Sequence, residues 1–161
     1  HYVVKGEAFE ASGFHITPFG VPHDSSDNVG YSIEYEGVVF TLLTDVGHIT
    51  EEMKAIIRNT DYLVIEANYD LQMLQNGPYP RHLQERIQCG TGHLSNAQCG
   101  AALVENYTER LKHIWLCHLS EENNHPELAR KSIEQALSDA GIKVKLDVLR
   151  RKQPTGVFEL V

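Results

Sequence analysis

The stretch Leu43-Thr44-Asp45-Val46-Gly47 indicates the fold, because it places a carboxylate directly after an apolar, strand-like run. Two further stretches repeat this arrangement with an imidazole: Val21-Pro22-His23-Asp24 and Cys117-His118-Leu119-Ser120. Strand ends deliver side chains to one rim of a sheet, so residues far apart in sequence can converge there. Two histidines and one aspartate in this context predict part of a divalent-metal site.

Each of these three residues also has an ordinary structural role open to it. His23 can bond to an acidic side chain of its own loop, Asp45 can cap the turn that follows it, and His118 can be a hydrogen-bonded histidine at a strand end. What the three share is their position, directly after an apolar run. That recurrence favours the metal site over three unrelated structural roles.

A second pair of residues predicts proton transfer beside the metal site. Glu66 ends the apolar run 61–67, and a buried carboxylate at that position needs a partner. His93, in Gly92-His93-Leu94-Ser95, is the candidate partner, since a histidine held by a carboxylate can protonate a leaving oxygen. The alternative is a structural glutamate and a histidine that opens a helix. His48, three residues past Asp45, is a weaker candidate for the same cleft.

Hydrophobic periodicity and turn residues predict strands that give way to alternating helices and strands. The predicted strands cover 14–21, 30–35, 38–44, 61–67, 112–117, 143–149 and 156–161. The predicted helices cover 50–58, 69–76, 81–88, 95–108 and 126–141. This order indicates the α/β (α+β) class, with residues 1–161 forming a single unit that is one α/β layer of a larger sandwich.

Composition narrows the compartment and the partners. The chain has 161 residues, a formal net charge of -8 and no apolar run long enough to span a membrane. Its three cysteines lack CxxC spacing, which is typical of reduced thiols and predicts a cytoplasmic protein. The acidic balance disfavours non-specific capture of nucleic acid, although bound cations would offset it locally. Basic residues cluster at Lys143, Lys145, Arg150, Arg151 and Lys152 and at Arg81 and Arg86, where solvated faces are the ordinary interpretation.

Taken in order, these stretches resemble the metallo-β-lactamase fold. The resemblance is carried by His23 with Gly30-Tyr31, Thr44-Asp45-Val46-Gly47, Glu66-Ala67, Gly92-His93-Leu94-Ser95 and His118-Leu119-Ser120. Further segments are similar to the YycJ/WalJ-like group of its nucleic-acid-processing branch: Glu66-Ala67-Asn68-Tyr69-Asp70, Tyr79-Pro80, Arg86-Ile87 and the run from His118 to Asn124. The resemblance begins at about Phe14 and continues to the end of the chain.

The resemblance implies a four-layer αββα sandwich with two divalent metal ions at one edge. By this resemblance His23 binds the first ion, Asp45 bridges, His118 binds the second, and His93 assists departure of the leaving group. Zn²⁺ suits the histidines, and Mn²⁺ the carboxylates. The group is associated with 5′-to-3′ exonuclease action on double-stranded DNA, so DNA is the favoured partner. An RNA-processing endoribonuclease of the same fold is the alternative.

One part of the family pattern is missing. The His-x-His-x-Asp-His signature, which supplies four of the seven ligands in the family and normally lies upstream, does not occur in this sequence. We therefore expect a C-terminal portion of a nuclease that, alone, binds metal weakly or not at all and is inactive. We also expect it to pair with the missing N-terminal segment or to self-associate. A non-catalytic half domain that pairs with a partner is the remaining alternative.

Overall fold

The computed structural model describes residues 2–160, and within them seven strands form one sheet in the order β1-β2-β3-β4-β5-β6-β7. The strands are β1 Phe9–Ala11, β2 Phe14–Gly20, β3 Val29–Tyr35, β4 Val38–Leu43, β5 Tyr62–Glu66, β6 His113–Cys117 and β7 Lys145–Val148. β1 to β4 are antiparallel, whereas β4 to β7 are parallel. The β3–β4 hairpin turns at Glu36 and Gly37, whose φ values of 49° and 81° suit a tight two-residue hairpin turn.

Five helices connect and cover these strands in the described range: α1 Glu51–Arg58, α2 Leu71–Asn76, α3 Arg81–Gln88, α4 Asn96–Asn106 and α5 Pro126–Asp139. Thr50 caps α1, and Ser95 forms a capping box with Gln98 at the start of α4. Pro126 occupies the first turn of α5, where its missing N–H costs nothing. None of these helices has both the length and the apolar character needed to cross a membrane.

Helices α1, α4 and α5 pack on one face of the sheet. β5 and β6 are buried along their whole length, and Leu63, Ile65, Ile114 and Leu116 join the core formed with α1, α4 and α5. The opposite face carries a smaller cluster that includes Tyr62, Val64 and Trp115. The described residues thus build one β layer and one α layer, which is half of the expected sandwich. The predicted fold class is confirmed, although only these two layers are present.

Two strands differ from the sequence prediction. The predicted strand over 156–161 is wrong for residues 156–160, which form no regular structure, and Val161 lies outside the described residues. Phe158, which remains 38% exposed, instead packs its ring against Trp115, with 5.0 Å between ring centroids, so this segment covers part of the sheet face and does not extend the sheet. The short strand β1 was not predicted; it lengthens the antiparallel edge through pairing with β2.

Candidate active site

Parallel strands bring the predicted residues to one rim. Asp45 follows β4, Glu66 is the last residue of β5, and His118 follows β6, and these three neighbouring strands run in the same direction. β2 also runs in that direction, because two antiparallel pairings separate it from β4. His23, shortly after β2, therefore reaches the same rim from the other side.

The three residues predicted as metal ligands converge in space. The Oδ1 atom of Asp45 lies 3.7 Å from Nε2 of His23 and 3.6 Å from Nε2 of His118. Two ligands of one tetrahedral zinc ion, each about 2.1 Å from it, are roughly 3.4 Å apart. These donor atoms therefore fit a divalent cation in chemistry and spacing, with the carboxylate between the two imidazoles.

Hydrogen bonds fix which nitrogen of each histidine faces the cleft. Nδ1 of His23 donates to the carbonyl oxygen of Gly92 at 3.0 Å, and Nδ1 of His118 donates to the Glu66 carboxylate at 2.9 Å. Both partners can only accept, so Nδ1 carries the proton in each ring. The lone pair of a neutral ring is then on Nε2, directed toward Asp45. Metal-binding histidines are oriented by the same kind of outer hydrogen bond.

Glu66 is the buried centre of the site. Its side chain has no exposed surface, and its Oε1 atom accepts from Nδ1 of His93 at 2.6 Å as well as from His118. Its other oxygen accepts the backbone N–H of Val46. Burial raises the pKa of Glu66, but the hydrogen bonds from His118, His93 and Val46 outweigh it, so the pKa lies below its usual value. An ionised carboxylate therefore orients two imidazoles, where the sequence predicted only His93.

His93 lies between the two other histidines. Its ring centroid is 4.9 Å from that of His23 and 5.2 Å from that of His118. His93 belongs to two clusters whose ligand atoms are close enough to share a cation. One cluster adds His23 and Asp45, and the other adds Glu66 and His118. Because Nδ1 donates to Glu66, Nε2 is available to the cleft. This placement suits either a proton donor or a further ligand.

His118 also has an altered basicity. The hydrogen bond to Glu66 raises the pKa of His118, and this effect outweighs the opposing influence of burial. His48 does not join the cluster: its Nδ1 donates to the carbonyl oxygen of Gly90 at 2.6 Å. The loop that carries these carbonyls approaches closely, since a Cβ on Gly47 would lie 2.4 Å from the Gly90 oxygen. Only glycine fits at Gly47 without displacing the loop.

Sequence reasoning missed the asparagines that hold the ligand residues in place. Asp45 and His118 both adopt left-handed backbone conformations, with φ values of 57° and 54°. Nδ2 of Asn28 donates to the carbonyl oxygen of Asp45 at 2.8 Å, and Nδ2 of Asn68 donates to that of His118 at 2.8 Å. Such conformations persist when the surroundings stabilise them. The only sequence signal was the presence of Asn68 in a segment that carried the resemblance.

A buried asparagine pair holds together the segments that follow β5 and β6. Asn124 and Asn96 exchange side-chain hydrogen bonds of 2.8 and 3.0 Å, and Nδ2 of Asn124 also donates to the backbone carbonyl of Ala67. The N–H of Ser120 donates to the Asn68 carbonyl at 2.7 Å. The segment after His118 is therefore tied to the segment after β5, which fixes the position of the histidine.

The cluster opens into a cleft of about 1090 Å³. His23, His93 and His118 line it. Basic side chains line it as well, and these are Arg86, Arg150, Arg151 and Lys152. The site therefore combines a metal-type donor set with positive charge around its mouth.

The family follows from a comparison with known domains. Residues 1–114 match the Beta-lactamase superfamily domain, and the chain belongs to that superfamily. Within it, the chain is similar to the exodeoxyribonuclease YycJ of Bacillus anthracis, with 36% identity over 129 residues, covering 80% of this chain and 49% of the relative. It is equally similar to the exodeoxyribonuclease WalJ of Streptococcus pneumoniae, at 36% over 147 residues, covering 91% of this chain and 55% of the relative.

The chain thus spans about half the length of the curated relatives it matches. Solved structures agree on the fold. The metallo-β-lactamase fold protein YhfI from Bacillus subtilis superposes with a TM-score of 0.66 at 16% identity, covering 92% of this chain and 52% of that one. Zn²⁺-bound PqqB from Methylobacterium extorquens gives 0.61 at 24% identity, covering 91% and 53%. The metallo-β-lactamase fold and the YycJ/WalJ-like resemblance are confirmed.

Proposed function

We propose that this chain contributes His23, Asp45 and His118 to a two-metal phosphodiesterase site that acts on nucleic acid. The observation that supports this most directly is the position of the Asp45 carboxylate between two Nε2 atoms, at 3.7 and 3.6 Å. Both imidazoles are held in the tautomer that leaves Nε2 free to bind a cation. Two divalent cations bound there would activate water and stabilise negative charge on the phosphate.

The residues around the ligands have separate roles in this proposal. Asp45 would contribute to holding both cations, while His23 and His118 would each hold one. His93 protonates the departing oxygen through Nε2, and Glu66 orients it through the 2.6 Å bond to Nδ1. Zn²⁺ suits the imidazole nitrogens, and Mn²⁺ is the second choice because of the carboxylate oxygens.

For the substrate we propose double-stranded DNA, degraded from 5′ to 3′. The similarity to two proteins named exodeoxyribonucleases supports DNA. The alternative is an endoribonuclease that processes RNA. Duplex DNA labelled at either 5′ or 3′ ends and a matched precursor RNA would separate these cases. Early release of the 5′ label supports the proposal; early release of the 3′ label contradicts the polarity, and preferential cutting of the RNA contradicts the DNA substrate.

The 161 residues do not contain the signature that provides the other ligands in the family. We propose that the chain alone binds divalent metal weakly or not at all and does not cut nucleic acid. It would need a segment carrying that signature, either preceding it or on a partner; a purely non-catalytic half domain that pairs with a partner is the other candidate. Catalytic zinc sites need about three protein ligands each, whereas this chain offers a shared aspartate and one histidine per ion.

This proposal is tested by comparing the chain alone with a protein in which a signature segment precedes it. Metal content, nuclease rate and oligomeric state would be measured for both. We expect metal and activity only in the longer protein. We also expect self-association of the chain alone through apolar side chains that remain exposed, such as Val157, Phe158 and Leu160, because the sheet face around Trp115 is itself buried. A chain that is monomeric, fully metal-loaded and active by itself would contradict the proposal.

We also propose a cytoplasmic location, which the three free thiols support.

A further inference from the structure

The basic residues near the end of the chain separate into two groups in the fold. β7 runs parallel to β6, so the residues after Val148 lie at the same rim as His118. Arg150, Arg151 and Lys152 therefore line the candidate active-site cleft. Lys143 and Lys145 precede or begin the same strand, and they line a different pocket at the other end of the sheet. The sequence, which places all five residues in one basic cluster, does not reveal this division.

Two cations at the rim are tied to the loop that carries His118. The guanidinium of Arg151 donates to the carbonyl oxygen of Leu119, and its Nη1 lies 2.9 Å from a Glu121 oxygen. Nζ of Lys152 lies 2.8 Å from the other oxygen of Glu121. Their side chains are 40% and 75% exposed, so both remain accessible to a ligand in the cleft.

A similar ion pair occurs elsewhere in the lining of the cleft. Arg86, on α3, is 65% exposed and pairs with Asp24, the residue directly after His23. In both places the acidic residue that holds the cation lies close in sequence to a proposed metal ligand. These cations line the same cleft as the three histidines. A polyanion that occupies the cleft as well as the histidine cluster would contact them.

We propose that Arg151 and Lys152, together with Arg150 and Arg86 in the lining of the same cleft, bind the backbone phosphates next to the one that reacts. The ligand is a polynucleotide and not a mononucleotide; this inference rests on the proposed function. Glu121 positions Arg151 and Lys152 in the free protein and competes with phosphate for them. Because the chain has a net charge of -8, these local cations, and not overall attraction, direct the backbone into the cleft.

The test measures binding without catalysis. Fluorescence anisotropy would follow a fluorescein-labelled duplex oligonucleotide titrated with the chain in EDTA, over a range of salt concentrations. The variant Arg151→Ala/Lys152→Ala should weaken binding at least about fivefold and lower the salt-dependence slope by roughly 1.8, since each phosphate contact contributes about 0.9. The matched control, Lys143→Ala/Lys145→Ala, removes the same charge at the other end of the sheet and should change affinity less than about twofold.

A third variant tests the role of Glu121. Glu121→Gln keeps the shape of the side chain but releases both cations from an ion pair, so it should tighten binding. An excess of mononucleotide should compete poorly with the oligonucleotide. Equal loss in the two double variants would overturn the inference, and so would equal competition by mononucleotide. Circular dichroism melting curves would verify that each variant is folded.

The result separates this inference from the proposed function. If Arg151→Ala/Lys152→Ala loses binding and no protein carrying a signature segment cuts nucleic acid, the binding of backbone phosphates by these cations is supported and the nuclease proposal fails. If such a protein cuts DNA while Arg151→Ala/Lys152→Ala binds as well as Lys143→Ala/Lys145→Ala, the nuclease proposal is supported and the inference about backbone phosphates is overturned.

Discussion

The side-chain amide of Asn28 donates a 2.8 Å hydrogen bond to the carbonyl oxygen of Asp45, which has a φ of 57°. A non-glycine residue in this conformation is strained, and the bond from Asn28 offsets part of that strain. Asn68 makes the equivalent bond to His118, whose φ is 54°. Both proposed ligand residues are therefore held by a hydrogen bond from an asparagine side chain to their backbone carbonyl. The stability of the folded protein should depend on these bonds.

Replacing Asn28 with alanine should lower the free energy of unfolding by about 1–3 kcal/mol, because it leaves the strained Asp45 carbonyl without its partner. Urea denaturation would measure the change. Asn76→Ala is the control, since Asn76 makes an equally short bond of 2.8 Å to a backbone carbonyl but at an exposed helix end. That variant should stay within about 0.5 kcal/mol of the wild type. Equal effects at the two positions would contradict the special role of Asn28.

Removal of the Glu66 carboxylate should destabilise the fold even in the absence of metal. Glu66→Ala leaves the N–H groups of Val46, His93 and His118 without their shared acceptor in a buried site. We expect a loss of at least about 2 kcal/mol in the free energy of unfolding, measured in EDTA. Glu109→Ala, which removes an exposed carboxylate, should have little effect. A Glu66→Ala variant as stable as this control would show that water replaces the carboxylate.

Asp45 should matter more for metal retention than either histidine alone, because it contributes to both ions in the proposed site. In a protein that carries a signature segment ahead of this chain, Asp45→Ala should show the lowest metal content, measured by plasma mass spectrometry. His23→Ala and His118→Ala should each retain part of the metal. Asp139→Ala, at an exposed helix end, is the matched control and should keep the wild-type content. A clearly larger loss in a histidine variant would rule out the bridging role.

His93 should act in turnover and not in metal retention. In a protein that carries a signature segment ahead of this chain, His93→Ala should reduce the rate by about 10²–10⁴-fold, the range of a lost general acid, while the metal content stays near that of the wild type. The measurement is a steady-state nuclease assay combined with metal analysis of the same sample. Because the ring nitrogens of His93 lie close to the ligand atoms of both His23 with Asp45 and Glu66 with His118, a loss of metal would reassign it as a ligand.

The three thiols should differ sharply in reactivity. Cys89 is exposed, and a hydrogen bond with the Thr91 hydroxyl lowers the pKa of its thiol. Burial raises the pKa of Cys117 to about 12, and it also raises the pKa of Cys99. More Cys89 is therefore ionised near pH 8, where the thiolate is the reactive form. A thiol reagent should modify one cysteine rapidly in the native protein and all three after denaturation, and Cys89→Ser should remove the rapid phase. Rapid native modification of Cys99 or Cys117 would contradict this packing.

Much of the site could be predicted because its signals are local. His23, Asp45, Glu66 and His118 each follow or end an apolar run, and the period of such runs together with the flanking glycine and proline marks strand ends. Parallel strands then place their ends at one rim. The Glu36-Gly37 turn was likewise predictable, because glycine readily adopts the positive φ that a two-residue hairpin turn requires and β-rich runs flank it on both sides.

Contacts between distant segments could not be predicted in this way. The Asn28–Asp45 and Asn68–His118 bonds join residues 17 and 50 positions apart, and no local pattern encodes such pairs. The sharing of Glu66 by two imidazoles depends on the β5–β6 register and on the loop that carries His93. The segment 156–160 has strand-like residues but pairs with no strand, and Phe158 packs on the face of the sheet through its contact with Trp115, a residue 43 positions earlier. The sequence determined which residues stand at strand ends, since that depends on neighbours along the chain; the tertiary structure decided their partners, since hydrogen bonds depend on distances set by packing.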